Sequence, residues 1–332
     1  MKYSGEKRSV HKAPQIIGTP TCALHKPGTP QRITRGPHVS GFVAAVGLPN
    51  AGKSTLVNRF LREKVSIVTP KPQTTRTNVT CILSTEDYQV VFIDTPGLLK
   101  PRYRMQEVMA SFITNAVAGA DIILVIIDSS RGEGSFHPRL VSFAEEIGSK
   151  MTVVALNKID LVRKNILLGI IAKTHDLFPG AEIVPISATE GDGAEELFSV
   201  ILSRLPEGPS YFPEDMISSE SERFFASELI REAVFLTMEE EIPYESAVAI
   251  DRYEEKPELV IISASILVKK DSQKPILIGK GGRTIKDIGT RARLGIEEFL
   301  GTKVFLELRV KVRKDWRDKD VYLREIGLLK ER

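Results

Sequence analysis

The chain contains 332 residues, 42% of them hydrophobic and 27% charged, a length and composition typical of two globular domains. Its longest apolar run, Ile122 to Ile127, is far too short to cross a bilayer, and its two cysteines show no metal-binding or redox spacing. The net charge of +3 is segregated, since residues 211–268 carry 14 acidic and 4 basic side chains whereas residues 269–332 carry 18 basic and 10 acidic ones. This basic block favours a polyanionic partner, with a solvated basic surface as an equal alternative.

Residues 1–39 contain five prolines and show no apolar periodicity, so we predict a disordered, basic N-terminal extension. The segment lacks the apolar core of a secretory signal peptide. Its charge leaves import into an organelle open as an alternative, and assistance to nucleic-acid binding is a second hypothesis.

The segment Gly47-Leu48-Pro49-Asn50-Ala51-Gly52-Lys53-Ser54 follows an apolar run and precedes a helix-forming stretch, which is the context of a phosphate-binding Walker A loop. Its glycines allow a tight turn and a close approach to an anion, and backbone N–H groups then point at phosphates. Lys53 can reach the β- and γ-phosphates, and the Ser54 hydroxyl can ligate Mg²⁺. A chance glycine turn is the alternative. The predicted phosphate-binding residues are Gly47, Asn50, Ala51, Gly52, Lys53, Ser54 and Thr55.

Residues 65–77 contain two prolines and a polar run, which predicts a mobile loop. Thr74 and Thr75 are candidates to contact Mg²⁺ and the γ-phosphate, although ordinary surface threonines are the favoured interpretation of these residues alone. A predicted hairpin over 78–93 then ends in Asp94-Thr95-Pro96-Gly97. There the Asp94 carboxylate can hold Mg²⁺ through water, and the Gly97 N–H can bind a γ-phosphate.

Three further apolar strands are predicted over 122–128, 151–156 and 183–186. The second ends in Asn157-Lys158-Ile159-Asp160, and the Asp160 carboxylate can accept from N1–H and N2–H₂ of guanine, donors that adenine lacks. The third ends in Ser187-Ala188-Thr189, where the Ala188 N–H can donate to guanine O6. Ligand-facing turns at the ends of successive strands predict an open, mostly parallel α/β sheet with helices on both faces.

These four segments resemble the guanine-nucleotide motifs of the translation-factor class of GTPases, and Gln73-Thr74-Thr75-Arg76 resembles the switch I signature of the Era family. The resemblance implies that Thr75 binds Mg²⁺ together with Ser54 and Asp94. Leu98 stands where Ras-like proteins carry a glutamine, so the resemblance implies hydrolysis without that side chain and with a K⁺ ion held partly by Asn50. Its implied cofactors are GTP or GDP, Mg²⁺ and K⁺. The implied catalytic residues are Lys53, Thr75, Gly97 and Asn50.

Beyond a linker signal at 205–209, the pattern predicts a helix over 221–241, strands over 245–251 and 259–268, and a short helix over 274–278. A helix over 283–300 and a strand over 303–312 complete the order of an α+β type II KH domain. The predicted domains are therefore 1–39 as the extension, 40–210 as the GTPase domain, and 211–332 as the linker helix with the KH domain.

The turn Gly279-Lys280-Gly281-Gly282 lies between two predicted helices, where backbone N–H groups and a lysine can clamp an RNA backbone. Lys280, Arg283 and Lys286 would form a positive rim around it. Residues 309–317 alternate basic and apolar side chains, so Arg313 would lie on a cationic strand face and Trp316 could stack on a base. Packing of Trp316 against the domain edge is an equal alternative.

Segments between the two domains also resemble the Era family, so the resemblance covers residues 40–332. It implies a ribosome-assembly GTPase that binds the 3′ end of 16S ribosomal RNA and the small subunit, with GTP favouring the RNA-bound state. We further expect a cytoplasmic protein, with a monomer as the default oligomeric state. A peripheral contact with the inner membrane is a further hypothesis. Two alternatives are a tRNA-modification GTPase, whose C-terminal cysteine motif is not seen at 328–332, and a membrane-associated signalling GTPase.

Overall fold

The strands of the N-terminal half form a six-stranded sheet in the order β2-β3-β1-β4-β5-β6, in which only β2 is antiparallel to its neighbour. The structure is a computed structural model that describes residues 37–329, so most of the predicted extension lies outside the described residues. The strands are β1 Val39–Gly47, β2 Val79–Ser84, β3 Tyr88–Asp94, β4 Ile122–Asp128, β5 Thr152–Asn157 and β6 Glu182–Pro185.

Helices cover both faces of this sheet because side chains alternate along each central strand. Val43 and Ala45 of β1 face a core shared with the first and fifth helices, whereas Ala44 and Val46 face a core shared with the other three. The five helices are α1 Lys53–Leu61, α2 Arg104–Gly119, α3 Pro138–Ile147, α4 Lys164–Leu177 and α5 Ala194–Arg204. The predicted α/β architecture is confirmed.

The C-terminal half forms a three-stranded mixed sheet, β7-β8-β9, in which β8 is antiparallel to β7 and parallel to β9. Two long helices, α6 and α9, pack on one face around a core that includes Ile262 and Ile296. The order of elements is that of the predicted KH domain. The bounds are α6 Glu222–Thr237, α7 Ile242–Glu245, β7 Ser246–Lys256, β8 Leu259–Val268, α8 Gln273–Ile278, α9 Arg283–Leu300, β9 Lys303–Val312 and α10 Asp320–Glu325.

The chain between the two halves runs along the edge of the first sheet. The N–H groups of Tyr211 and Phe212 donate to Gln89 Oε1 at 2.7 and 3.0 Å. Further on, the Ile82 N–H of β2 donates to the Ile217 carbonyl at 2.8 Å. The linker is therefore hydrogen-bonded to the first domain before α6 begins.

Candidate functional site: a nucleotide cavity and a glycine-rich turn

A cavity of about 390 Å³ lies where the parallel strands of the larger sheet end. Gly47, Asp94 and Asn157 are the last residues of β1, β3 and β5, so the loops that follow them meet at this edge. The cavity brings together residues from all four predicted nucleotide-binding segments and from the 65–77 loop. Its lining includes Asn50, Gly52, Lys53, Ser54, Thr55, Thr74, Thr75, Gly97, Asn157, Lys158, Asp160, Ala188 and Thr189.

The Walker A loop has the backbone that its glycines allow. Gly52 has a φ of 97°, and a side chain at this position would also collide with the Asn157 amide. Lys53 Nζ donates to the carbonyl oxygens of Gly47 and Leu48 at 3.3 and 3.2 Å. Burial lowers the pKa of Lys53 to about 8, and the neighbouring Asp94 carboxylate opposes this shift. A bound phosphate would favour the charged ammonium at this buried position.

Ser54, Thr75 and Asp94 meet at one end of the cavity. Ser54 Oγ donates to Asp94 Oδ2 at 2.7 Å and lies 3.1 Å from Thr75 Oγ1. Asp94 is 0% exposed; burial raises the pKa of its carboxyl, and the hydrogen bond from Ser54 opposes that shift. The other carboxylate oxygen, Oδ1, is buried and has no hydrogen-bond partner among residues 37–329. Two hydroxyls and an unsatisfied carboxylate oxygen are the hard ligands that Mg²⁺ prefers, so these residues fit the predicted metal.

Gly97 lies directly against the Walker A loop. A Cβ on Gly97 would come within 2.7 to 2.9 Å of atoms of Pro49, so this close approach requires glycine. The next residue, Leu98, donates its N–H to the Gly47 carbonyl at 2.9 Å. Its side chain is 2% exposed and belongs to the core under the sheet, so it contributes no group to the cavity.

Asn157 joins three of the loops around the cavity. Its Nδ2 donates to the Ala51 carbonyl at 2.7 Å, and its Oδ1 accepts from the N–H groups of Lys158 and Ala188 at 2.8 and 2.9 Å. The sequence predicts that the Ala188 N–H donates to guanine O6. In this structure it donates to Asn157 and fastens its loop to that side chain. Asp160 lines the cavity with an exposed side chain.

The turn that contains Ala188 is closed by its own hydrogen bonds. Ser187 is buried, its Oγ accepts from the Glu190 N–H at 3.2 Å, and its own N–H donates to the Asp192 carbonyl at 2.9 Å. Ser187 therefore shapes the turn and is absent from the cavity lining.

Asp128 is a site residue that the sequence pattern did not single out. Lys158 adopts a left-handed backbone with φ of 67°, and its Nζ lies 2.7 Å from Asp128 Oδ2 at the end of β4. Burial acts to raise the pKa of Asp128, but hydrogen bonds from Lys158 and Ser130 hold it below its usual value. The sequence signal that could have pointed to Asp128 is its position as a carboxylate at the end of a fully apolar strand.

The 65–77 loop contacts the Walker A loop on one side. Asn50 has a φ of 63°, and its Nδ2 donates to the Pro70 carbonyl at 3.0 Å. Thr74 Oγ1 donates within the loop to the Lys71 carbonyl at 2.8 Å, so Thr75, and not Thr74, has the contact with Ser54. On its other side the loop contacts the C-terminal half through Arg76, for which the sequence pattern indicated no role.

The glycine-rich turn of the C-terminal half lies between α8 and α9, and its glycines have positive φ angles of 74°, 62° and 78°. A Cβ on Gly281 or Gly282 would meet no atom within 4 Å, so the backbone there is open to a ligand. The side chains of Lys280, Arg283 and Lys286 are exposed, and none forms an ion pair with another described residue. Three exposed cations therefore lie in the chain at and just after the turn, where the sequence predicts a positive rim.

Two predicted RNA contacts are placed differently by the structure. Trp316 is 0% exposed, its Nε1 donates to the Glu245 carbonyl at 3.0 Å, and it packs against Met105 and Met109 of α2. Base stacking by Trp316 is therefore wrong, because the ring is buried against α2 and the N–H is bonded within the C-terminal half. The alternative prediction, packing of Trp316 inside the protein, is the one the structure shows. Arg313 follows the last residue of β9 and is partly buried, with its guanidinium 5.7 Å from the centre of the Tyr322 ring.

The fold and the cavity together define a P-loop GTPase domain followed by a KH domain. Residues 42–158 match the family described as 50S ribosome-binding GTPase, and residues 241–317 match the KH domain family. The chain is 43% identical over 293 residues to GTPase Era of Geobacter metallireducens, which covers 88% of this chain and 98% of that protein. It is 44% identical over 292 residues to GTPase Era of Syntrophus aciditrophicus, covering 87% of this chain and 94% of that protein.

Solved structures give the same result. A crystal structure of Era in complex with MgGDPNP and nucleotides 1506–1542 of 16S ribosomal RNA has a TM-score of 0.84, 39% identity, and coverage of 88% of this chain and 99% of that one. A variant of Aquifex aeolicus Era bound to GDP·AlF₄⁻ has a TM-score of 0.83 and 39% identity, with 87% and 99% covered. The chain belongs to the Era family of GTPases, so it hydrolyses GTP.

No helix within residues 37–329 combines the length and the apolar character that crossing a bilayer requires.

Proposed function

We propose that this protein is a GTP-dependent switch that binds the 3′ end of small-subunit ribosomal RNA and assists assembly of the small subunit. The observation that carries the RNA half is the open turn at 279–282 with three unpaired cations around it. Support comes from the relative of 39% identity that was crystallised with nucleotides 1506–1542 of 16S ribosomal RNA.

In the nucleotide cavity, we assign phosphate binding to Lys53 and the surrounding N–H groups, and Mg²⁺ binding to Ser54, Thr75 and Asp94. Mg²⁺, when bound, neutralises charge on the phosphates. Gly97 offers its N–H to the γ-phosphate, and Asp160 selects guanine over adenine because only guanine supplies the matching pair of donors. Loss of the γ-phosphate would release the loops that carry Thr75 and Gly97.

The buried Leu98 supplies no polar group to orient the attacking water, so we propose that a K⁺ ion beside Asn50 contributes positive charge during hydrolysis. We propose further that the protein acts in the cytoplasm as a monomer. The hypotheses of membrane contact and organelle import depend on the basic extension, nearly all of which lies outside the described residues.

The test is binding of a short single-stranded oligonucleotide from the 3′ end of 16S ribosomal RNA to the full chain loaded with GDP or with a non-hydrolysable GTP analogue. The double variant Lys280→Asp/Arg283→Asp should lose most of the affinity. A plot of log affinity against log salt concentration has a negative slope. In the variant this slope should be less steep by about 0.7 for each phosphate that is no longer neutralised.

The matched control is Lys164→Asp/Lys173→Asp, which makes the same change of charge on exposed positions of α4 in the GTPase domain. It should bind like the parent protein. An equal loss of RNA affinity in both double variants would show that the loss comes from the change of net charge and not from the glycine-rich turn. Equal RNA affinity in all nucleotide states would refute the switch.

A further inference from the structure

The loop that carries Thr75 is fastened to the C-terminal half by cations from the GTPase domain. Lys64, just before the loop, pairs with Glu232 of α6 at 2.6 Å. Lys71 Nζ donates to the carbonyl oxygens of Phe235 and Met238, where α6 ends and its last carbonyls have no helical partner.

Arg76 makes the deepest of these contacts. Its Nη1 donates to the Ser246 carbonyl at 2.7 Å, and its Nη2 donates to the Pro243 carbonyl at 3.0 Å. The guanidinium also lies 5.7 Å from the centre of the Phe235 ring, and Arg76 is 5% exposed. These partners lie in α6, in α7 and at the start of β7, so Arg76 spans from the GTPase domain into the KH half.

Burying the charged side chain of Arg76 is unfavourable in free energy unless the guanidinium makes specific contacts. Arg76 is buried, and a second buried cation, Arg231, lies over the same Phe235 ring. Arg231 pairs with Glu228, whereas Arg76 donates through Nη1 and Nη2 to backbone carbonyls and lies over an aromatic ring. The buried Nε of Arg76 has no hydrogen-bond partner among residues 37–329. Such a buried cation is stable only while the segment 243–246 remains docked against it.

Arg76 directly follows Thr75 in the chain, and adjacent Cα atoms are held about 3.8 Å apart by the trans peptide. Thr75 Oγ1 lies 3.1 Å from Ser54 Oγ, which itself donates to Asp94. A displacement of the Arg76 anchor therefore displaces the Thr75 hydroxyl from the other two groups that fit a metal.

We propose that Arg76 is a positioning residue that holds Thr75 at the Mg²⁺ site by anchoring to the backbone at 243–246, so that docking of the KH half sets the affinity for Mg²⁺ with nucleoside triphosphate. This inference rests on the proposed role of Thr75 as a Mg²⁺ ligand. A purely structural anchor would instead weaken folding and affect diphosphate and triphosphate binding alike.

The test titrates Mg²⁺ and measures the concentration at which half of the full-chain protein has a fluorescent, non-hydrolysable GTP analogue bound. This concentration is the midpoint, and the measurement is repeated with fluorescent GDP. Arg76→Met should raise the midpoint about tenfold for the triphosphate, the effect expected from removing hydrogen bonds of a charged group, and less than twofold for GDP. Arg76→Lys keeps the charge but not the forked geometry, so its midpoint should lie between those of the parent and Arg76→Met.

The control Arg104→Gln removes a different contact between the halves, the 2.9 Å pair with Asp320, and should leave both midpoints unchanged. Thr75→Ala separates the two proposals. If Thr75→Ala does not raise the triphosphate midpoint, its assignment as a ligand fails; if it does and Arg76→Met does not, the positioning role fails. An equal change for GDP and GTP overturns the positioning role, and Arg76→Lys supplies the comparison if Arg76→Met does not fold.

Discussion

Lys158 Nζ lies 2.7 Å from Asp128 Oδ2, and this ion pair ties the loop at 157–160 to the end of β4. Asp128→Asn keeps the size of the side chain but leaves the Lys158 ammonium without its counter-charge. We expect affinity for GDP and GTP to fall about tenfold, the usual effect of removing a hydrogen bond to a charged group. Titration of a fluorescent nucleotide measures this.

The control for Asp128 is Glu133→Gln, which removes the pair with Lys173 on the surface, where Glu133 is 91% exposed. An exposed pair contributes little, so nucleotide affinity should be unchanged. Unaltered affinity in Asp128→Asn would show that Lys158 holds its position without Asp128.

Nucleotide binding should be coupled to a proton on Lys53. In the free protein the pKa of Lys53 is lowered to about 8 by burial, whereas bound phosphates favour the ammonium. Below pH 8 the lysine is already charged and binding takes up no proton for it, but above pH 8 binding must protonate it. We therefore expect GDP affinity to fall as pH rises above 8, with proton uptake in calorimetry across buffers of different ionisation enthalpy.

The same shift affects stability in the opposite direction. Above pH 8 the folded, nucleotide-free protein loses the Lys53 proton while the unfolded chain keeps it up to about pH 10.4, so this group makes the free energy of unfolding rise with pH. In the calorimetric experiment, Lys53→Met should abolish the proton uptake that accompanies GDP binding above pH 8. Identical uptake in the variant would assign the proton to another group.

Trp316 should report on the contact between the halves and not on RNA. It is the single tryptophan of the chain and is fully buried against α2, so its emission should be blue-shifted and should not be quenched directly by an oligonucleotide. Trp316→Ala should lower the free energy of unfolding by about 3–5 kcal/mol, measured by denaturant titration.

Trp316→Phe is the milder variant and should change RNA affinity less than twofold. A large loss of RNA affinity in Trp316→Phe with unchanged stability would restore a direct stacking role.

GTP hydrolysis should be faster in K⁺ than in Na⁺ at equal ionic strength. The Asn50 side chain lines the cavity, and the carboxamide oxygen is a ligand suited to such a cation. Asn50→Ala should reduce the rates in K⁺ and Na⁺ to the same value, while Thr114→Ala, a change on the exposed face of α2, should preserve the difference. Equal rates in the two salts for the parent protein would refute the K⁺ proposal.

The strands, the Walker A loop and the KH order could be predicted because they depend on local patterns: apolar period, glycine placement and charge. Lys53, Ser54 and Asp94 meet because Asp94 ends β3 while Lys53 and Ser54 begin α1, directly after the loop that follows β1. The sequence reveals these positions. Trp316 could not be placed in the same way, because basic residues alternate around it whether its ring faces solvent or α2. Its position depends on a contact between distant parts of the chain.

Arg76 and Asp128 were missed for the same physical reason. Their partners are 170 and 30 residues away, and for Arg76 they are backbone carbonyls that have no sequence signature. The hydrogen bond from the Ala188 N–H to Asn157 likewise joins residues that are far apart in the chain, so local sequence patterns do not predict it.

The hydrogen bonds that fasten 211–217 to Gln89 and β2 determine where a shortened protein can be cut. A fragment that stopped at residue 210 would leave the backbone of β2 bare along an outer sheet edge, a surface that readily recruits a strand from another molecule. A fragment that continued to residue 220 would keep that edge capped and stay dispersed at higher concentration.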